Sequence, residues 1–318
     1  ADWESVKLTS IHTKNIIDVL RTFSLFKHHV SDYKAIVSEG LHETIAVEKG
    51  IMERQTKYPN YGNCEMIYSG PHFFVGNPVY KSPREECLLN SDYDVIDLVT
   101  IPDDYLARTN YIPSVKLSVF KDNILGFNIG QNPKGEIIYD KWIDYYRMGF
   151  RRQIGSGSER SLSGGLLLKN CSHIGGVTSV TFNDYNVLLE FAGLTCSLAM
   201  DFCVKAIGIS DVRTNRVSKF PLGIEDKYKT ELFSRTLMLN CLTKHYADLW
   251  SEVWRDDFRN QTWSIDDKRL HPFNTLKEHW SWETPLRNYF ERRQALVEID
   301  VIAAMALGLN LQDLEMIY

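Results

Sequence analysis

The chain has 318 residues, 44% of them hydrophobic, 12% aromatic and 24% charged; this excludes a disordered or fibrous protein and allows two or three packed domains. A formal net charge of −5 gives no global attraction to nucleic acid, so any such role must rest on a local concentration of cations. No window has the unbroken apolar length of a membrane helix: the longest, 187–208, is interrupted by Glu190, Asp201 and Lys205.

In chain order, the first residues lack the basic start and apolar run of a signal peptide, which predicts a cytoplasmic protein. Ile16, Val19, Leu20, Phe23 and Phe26 recur at helical spacing, and the polar stretch after them reads as an extended or loop segment. From about Cys64 to Phe182 the texture changes to short aromatic and β-branched runs cut by Gly, Pro and Asn, which predict strands of modest length. Asn132-Pro133-Lys134-Gly135 reads as a turn between two of them.

A helix is predicted over about 186–206, with Asn183 or Asp184 as its cap and Gly208 as its stop. Pro221 ends the connection after it, and 227–258 and 284–309 read as helical. The second of these has Thr284 as N-cap, Pro285 at the first helical position and Gly308 as C-cap, with a further helix beginning near Asn310. The prediction is an α+β fold: a helical connector over 1–63, a β-rich mixed domain over 64–225 and a helical region over 226–318. Six cysteines without a C-x-x-C pair read as reduced core thiols, and nine histidines show no metal-ligand spacing.

The stretch Phe73 to Tyr80, "FFVGNPVY", raises a catalytic question, because an Asn-Pro-Pro-aromatic tetrad holds the target amino group in adenine-N6 methyltransferases. Here the second proline is Val79, and no glycine-rich turn after a long apolar strand precedes Asn77, so a turn between strands is the preferred reading. Asp32-Tyr33-Lys34, Glu225-Asp226-Lys227 and Asp266-Asp267-Lys268 match a nuclease tripeptide but fall in loops or helix starts, and no G-x-S-x-G elbow occurs. No catalytic or metal-binding residue is assigned.

What stands out is a basic cluster. Lys141, Arg147, Arg151, Arg152 and Arg160 face only Asp144 and Glu159 over 141–160, and Ser156 and Ser158 sit in a small-residue loop where amides and hydroxyls can approach phosphate. Arginine also reads guanine edges through its bidentate fork. The same residues fit a solvated hairpin paired with Asp144 and Glu159 equally well. Lys205, Arg213, Arg216 and Lys219 form a second group, for which a charged surface loop is the plain alternative.

Around these residues the chain resembles a known family. The segments "SGPHFFVGNPVYKSPR", "DYDVIDLVTIPDDYLARTNYIP", "YRMGFRRQIGSGSERSL", "FAGLTCSLAMDFCVKAIGISDVRTNRVSKFPL", "LFSRTLMLNCLTKHYADLW" and "YFERRQALVEIDVIAAMALGL" are similar to the carboxy-terminal half of bacterial restriction-modification proteins that carry an adenine-N6 methylase domain. Single-chain type IIG enzymes and related phage-defence methylases are of this kind. The resemblance implies a target-recognition region whose methylase core lies upstream in a longer parent polypeptide, a piece of which would run from Ala1 to Tyr318. It implies no cofactor in this chain, S-adenosylmethionine in the parent, double-stranded DNA and the parent's catalytic domain as partners, and no membrane. Arg147, Arg151, Arg152 and Arg160, with Ser156 and Ser158, are the expected phosphate and major-groove contacts; Lys81, Arg84, Arg213, Asn215 and Arg216 form a second set. Two other readings stay open: a complete methyltransferase with permuted motifs using Asn77-Pro78-Val79-Tyr80, and a protein-docking module of a phage-defence complex.

Overall fold

The computed structural model describes residues 14–124, 126–131, 133–155, 159–206 and 208–318. Helix α1 (Lys14–Leu25) buries Val19, Leu20 and Phe23, the stripe its spacing predicts. The polar stretch after it is more regular than expected, forming β1 (Ile36–Ser38), α2 (Glu43–Glu48) and β2 (Met52–Lys57). Short strands follow: β3 (Ile67–Tyr68), β4 (Lys81–Pro83), β5 (Tyr93–Val95) and β6 (Thr109–Pro113). The run after Pro113, expected as strand, is helix α3 (Leu117–Asp122): Phe120 and Ile124, four apart, are buried while Leu117 and Val119 face out.

Strands β7 (Gly126–Gln131) and β8 (Ile137–Lys141) form an antiparallel hairpin. Then come β9 (Arg147–Arg151), β10 (Gly164–Leu167), β11 (Ser172–His173) and β12 (Val177–Thr181). The main sheet is antiparallel, in the order β1-β12-β9-β10, with Phe150 opposite Thr178 on one side and Gly164 on the other. Residue 165 has to be glycine, because a Cβ there would lie 2.7 Å from the Pro78 nitrogen. That close approach seats the turn at 74–77 on the sheet.

Helix α4 (Tyr185–Thr195) packs on the sheet, with Phe191 edge-on to Phe150 at 5.9 Å, and Asp184 caps it by accepting the Asn186 N–H at 2.8 Å. The single long helix expected here is two: α5 (Leu198–Ala206) turns away from α4 by 72°. The break is capped both locally and from outside the segment. Ser197 Oγ accepts the Met200 N–H at 3.2 Å, and Asp300 accepts that of Leu198 at 2.8 Å. No single helix among the described residues is long and apolar enough to cross a membrane, and this bent pair is packed inside the core.

A short helix, α6 (Thr214–Val217), precedes α7 (Asp226–Asn240), α8 (Ala247–Glu252), α9 (Tyr289–Ala306) and α10 (Leu311–Ile317). Helix α9 starts later than predicted. Its N-cap is Asn288, which accepts the Glu291 N–H at 2.9 Å, while Thr284 accepts the Ser281 N–H instead. Gly308, at φ +83°, closes α9 as expected. One continuous apolar core takes Phe23 from α1, Phe150 and Leu166 from the sheet, and Leu237 and Ile299 from α7 and α9, so all three segments share it. The class is α+β: among the described residues helix, short 3-10 turns included, accounts for 41% and strand for 18%, the strands falling in several small sheets.

Candidate nucleic-acid interface

Strand β9 distributes the arginines of the basic cluster by position. Arg147, at its start, lies between β12 and β10 and is fully buried. Its guanidinium donates to the carbonyls of Tyr145 (3.1 Å), Leu168 (3.0 Å) and Cys171, and stacks 4.8 Å from the Trp142 ring. Burial lowers its pKa to about 10, with the Cys171 thiol opposing. Arg160 is buried too: both oxygens of Asp300 receive it, at 2.7 and 2.6 Å, and the Cys196 carbonyl accepts at 2.6 Å. These two residues correct the expectation of phosphate contact, because neither guanidinium reaches solvent. Ser156 and Ser158 lie outside the described residues.

Arg151 and Arg152 emerge where β9 leaves the sheet. Arg151 donates to the carbonyls of Gly70 (2.9 Å) and Phe73 (2.6 Å); partial burial lowers its pKa. Arg152 donates to the Gly175 carbonyl at 2.8 Å and has Glu39 at 4.0 Å. With Lys81 from β4 they line a cleft of about 620 Å³. The Lys81 ammonium lies 5.4 Å from the Tyr80 ring centroid and has no carboxylate partner among the described residues. Gln153 and Asn90 add amides to the wall; His42 and Glu43 come from the start of α2. Gln153 follows the arginine pair directly and was open to sequence reading. Asn90 reaches the cleft only through the fold, so no local signal marks it.

Residues 152–154 continue as an irregular ladder against 210–212: the Val212 N–H bonds to the Arg152 carbonyl at 2.8 Å and the Ile154 N–H to that of Ser210 at 2.9 Å. This leads from the cleft to a depression of about 200 Å³ lined by Ser210, Asp211, Arg213, Asn215 and Arg216. Arg213 is paired with Asp211 at 3.1 Å, whereas Arg216 has no carboxylate partner among the described residues. Arg84 is not in either hollow; it is exposed and paired with Asp94 across β4 and β5 at 2.8 Å.

The wall behind Gly175 holds an acid-sensitive group. His173 is fully buried, with Nε2 2.8 Å from Ser179 Oγ, and burial, reinforced by Arg147, lowers its pKa to about 3. The folded protein keeps it neutral while the unfolded chain takes up a proton below about pH 6.5. Its contribution is therefore complete above that pH and is lost as pH falls towards 3, at up to about 1.4 kcal/mol per pH unit. Chemical unfolding at about pH 7 and about pH 5 should show a smaller loss of stability for His173→Gln than for the unsubstituted chain.

Asn77 is held in a tight turn. The Phe74 and Asn77 backbones exchange hydrogen bonds of 3.0 and 3.1 Å around Gly76 (φ +60°), and Asn77 Oδ1 accepts the Val79 N–H at 2.9 Å. A doubly wound parallel sheet, the usual cradle for S-adenosylmethionine, does not match these strands: the main sheet is antiparallel, and the parallel pairing among the described residues is β3 with β11, two residues long, and the single bridge of Leu41 with Ile174. No protein-family model matches the chain, and no curated protein matches it.

Proposed function

We propose that this chain binds double-stranded DNA and selects its sequence, as the target-recognition region of a restriction-modification adenine-N6 methyltransferase acting in the cytoplasm. The observation that carries the reading is the convergence of Lys81, Arg151 and Arg152 on one cleft, beside the amides of Gln153 and Asn90. Cations of this kind position a duplex by its phosphates, and amides and guanidinium forks read base edges. The depression at Arg213, Asn215 and Arg216 extends the same track. Methyl transfer and S-adenosylmethionine belong, in this reading, to the catalytic part of a parent polypeptide. The exposed apolar side chains of Leu25, Met305, Leu311 and Tyr318 suit a surface that packs against it.

Fluorescence anisotropy with a labelled duplex tests the reading. Arg152→Ala should weaken binding at low salt roughly tenfold, the worth of one charge-assisted hydrogen bond, and lower the salt slope by about one. Affinity and slope that match the unsubstituted chain would remove Arg152 from the interface. No salt-dependent affinity for any duplex would remove DNA altogether.

A further inference from the structure

A second cleft lies next to the first, at the start of β4. Tyr80 lines it, and the neighbouring Lys81, the first residue of β4, lines the basic cleft, so the two hollows meet at the start of that strand. Its volume is also about 620 Å³, inside the range of about 300–1,000 Å³ typical of small-molecule sites. One wall is an aromatic pair: the Phe74 and Tyr80 rings lie 5.0 Å apart at 30°, with Phe74 43% exposed. Val95 and Val99 continue that wall, and Tyr289, 83% exposed, stands at the mouth. Large rings left open to solvent on a packed domain offer faces for another planar group.

The cleft also carries excess positive charge. Arg160 and Arg293 are neutralised by Asp300 and Glu159, both at 2.6 Å. Arg287 and Arg292 have no carboxylate in ion-pair contact among the described residues, although Glu283 acts on Arg287 from a distance. Arg287 donates to the carbonyls of Trp282, Leu98 and Leu242, and Arg292 to those of Leu239, Leu286 and Gly76. Burial lowers both to about pKa 10, which still leaves them charged at neutral pH. The amino terminus of α9, an 18-residue helix, opens on the same space through Asn288 and Tyr289 and adds its positive end. Asp97 at the rim and the Glu291 carboxylate, which bonds the backbone at Arg287 and Asn288 in the first turn of α9, offset part of this charge.

A ligand that fits both features has a flat apolar ring and a nearby negative charge. We propose that this cleft binds one nucleotide, its unstacked base against Phe74 and Tyr80 and its phosphate drawn towards the Arg287 and Arg292 side by their charge, without direct contact to either buried guanidinium. The nucleotide comes either free or as an unpaired residue of a strand; only the second source rests on the DNA reading above. Aliphatic peptide side chains would use the aromatic wall but not the charge.

Two probes test this on the full chain: adenosine monophosphate by calorimetry, and a labelled duplex with one bulged adenine compared by anisotropy with its fully paired counterpart. A stacked base is worth roughly a five- to hundredfold gain. The expected result is a gain of that size for the bulged duplex, saturable binding of the mononucleotide, or both. Phe74→Leu should abolish it while leaving the thermal melt and paired-duplex affinity unchanged; Tyr80→Leu, whose ring also lies against the Lys81 ammonium, should abolish the mononucleotide binding and the bulge preference whatever it does to the paired duplex. Mononucleotide binding alone assigns a free ligand, and bulge preference alone assigns a strand-borne one. Absence of both, or their survival in the two variants, overturns the proposal. Loss of all duplex binding with mononucleotide binding retained would overturn the DNA reading and leave the cleft assignment standing.

Discussion

Replacing Arg160 by methionine should destabilise the fold by about 3–5 kcal/mol, the usual cost of leaving one member of a buried ion pair alone. The side chains of Arg160 and Asp300 are 4% and 3% exposed, so water cannot take over the lost partner. Asp300 would keep only the Leu198 N–H, and the Cys196 carbonyl would lose its donor. The double variant Arg160→Met/Asp300→Leu should regain most of the loss, because an apolar pair of similar volume needs no desolvation of charge. It should remain short by about 1 kcal/mol, the worth of the cap at the start of α5. Urea unfolding of the three proteins checks this. An arginine that reached out to phosphate would behave oppositely, with stability unchanged and DNA affinity reduced.

The fate of these arginines shows where sequence reading succeeds and where it stops. Helices α1 and α10 and the cap at Asp184 were legible because the spacing of Val19, Leu20 and Phe23, and the side chains of Asn310 and Asp184, act within a turn of the chain they mark. Gly308 was legible for the same reason. The break between α4 and α5 was not: neither Cys196 nor Ser197 is a glycine or proline, the one local signal is the Ser197 cap on Met200, and the carboxylate that also caps the new start comes from α9. Charge counting over 141–160 treats its arginines as equivalent. Burial separates them. Arg147 is enclosed by strands on both sides, Arg152 stands past the end of β9, and Arg160 is drawn inward by Asp300, a residue remote in sequence. Arg151 and Arg152 were therefore found together with Lys81 only after the fold placed β4 beside the end of β9.

Arg147→Lys should cost about 2–3 kcal/mol of stability even though the charge is kept, because a single ammonium cannot span the three carbonyls that a guanidinium fork satisfies here. The acceptors on Tyr145, Leu168 and Cys171 belong to three different stretches of the sheet region. Two of them would be left buried without a donor, at about 1 kcal/mol or more each, and the stacking over Trp142 would be weakened. Relief of the guanidinium's own desolvation offsets part of this, and Nε already lacks a partner, so the net loss is smaller than for a fully bonded arginine. Stability read by thermal or urea unfolding should fall, while duplex affinity per folded molecule stays within about twofold, the opposite pattern to Arg152→Ala. If Arg147→Lys instead left the unfolding midpoint unchanged and weakened DNA binding, the guanidinium would have to leave the core on binding. The expectation that it serves the fold alone would then fail.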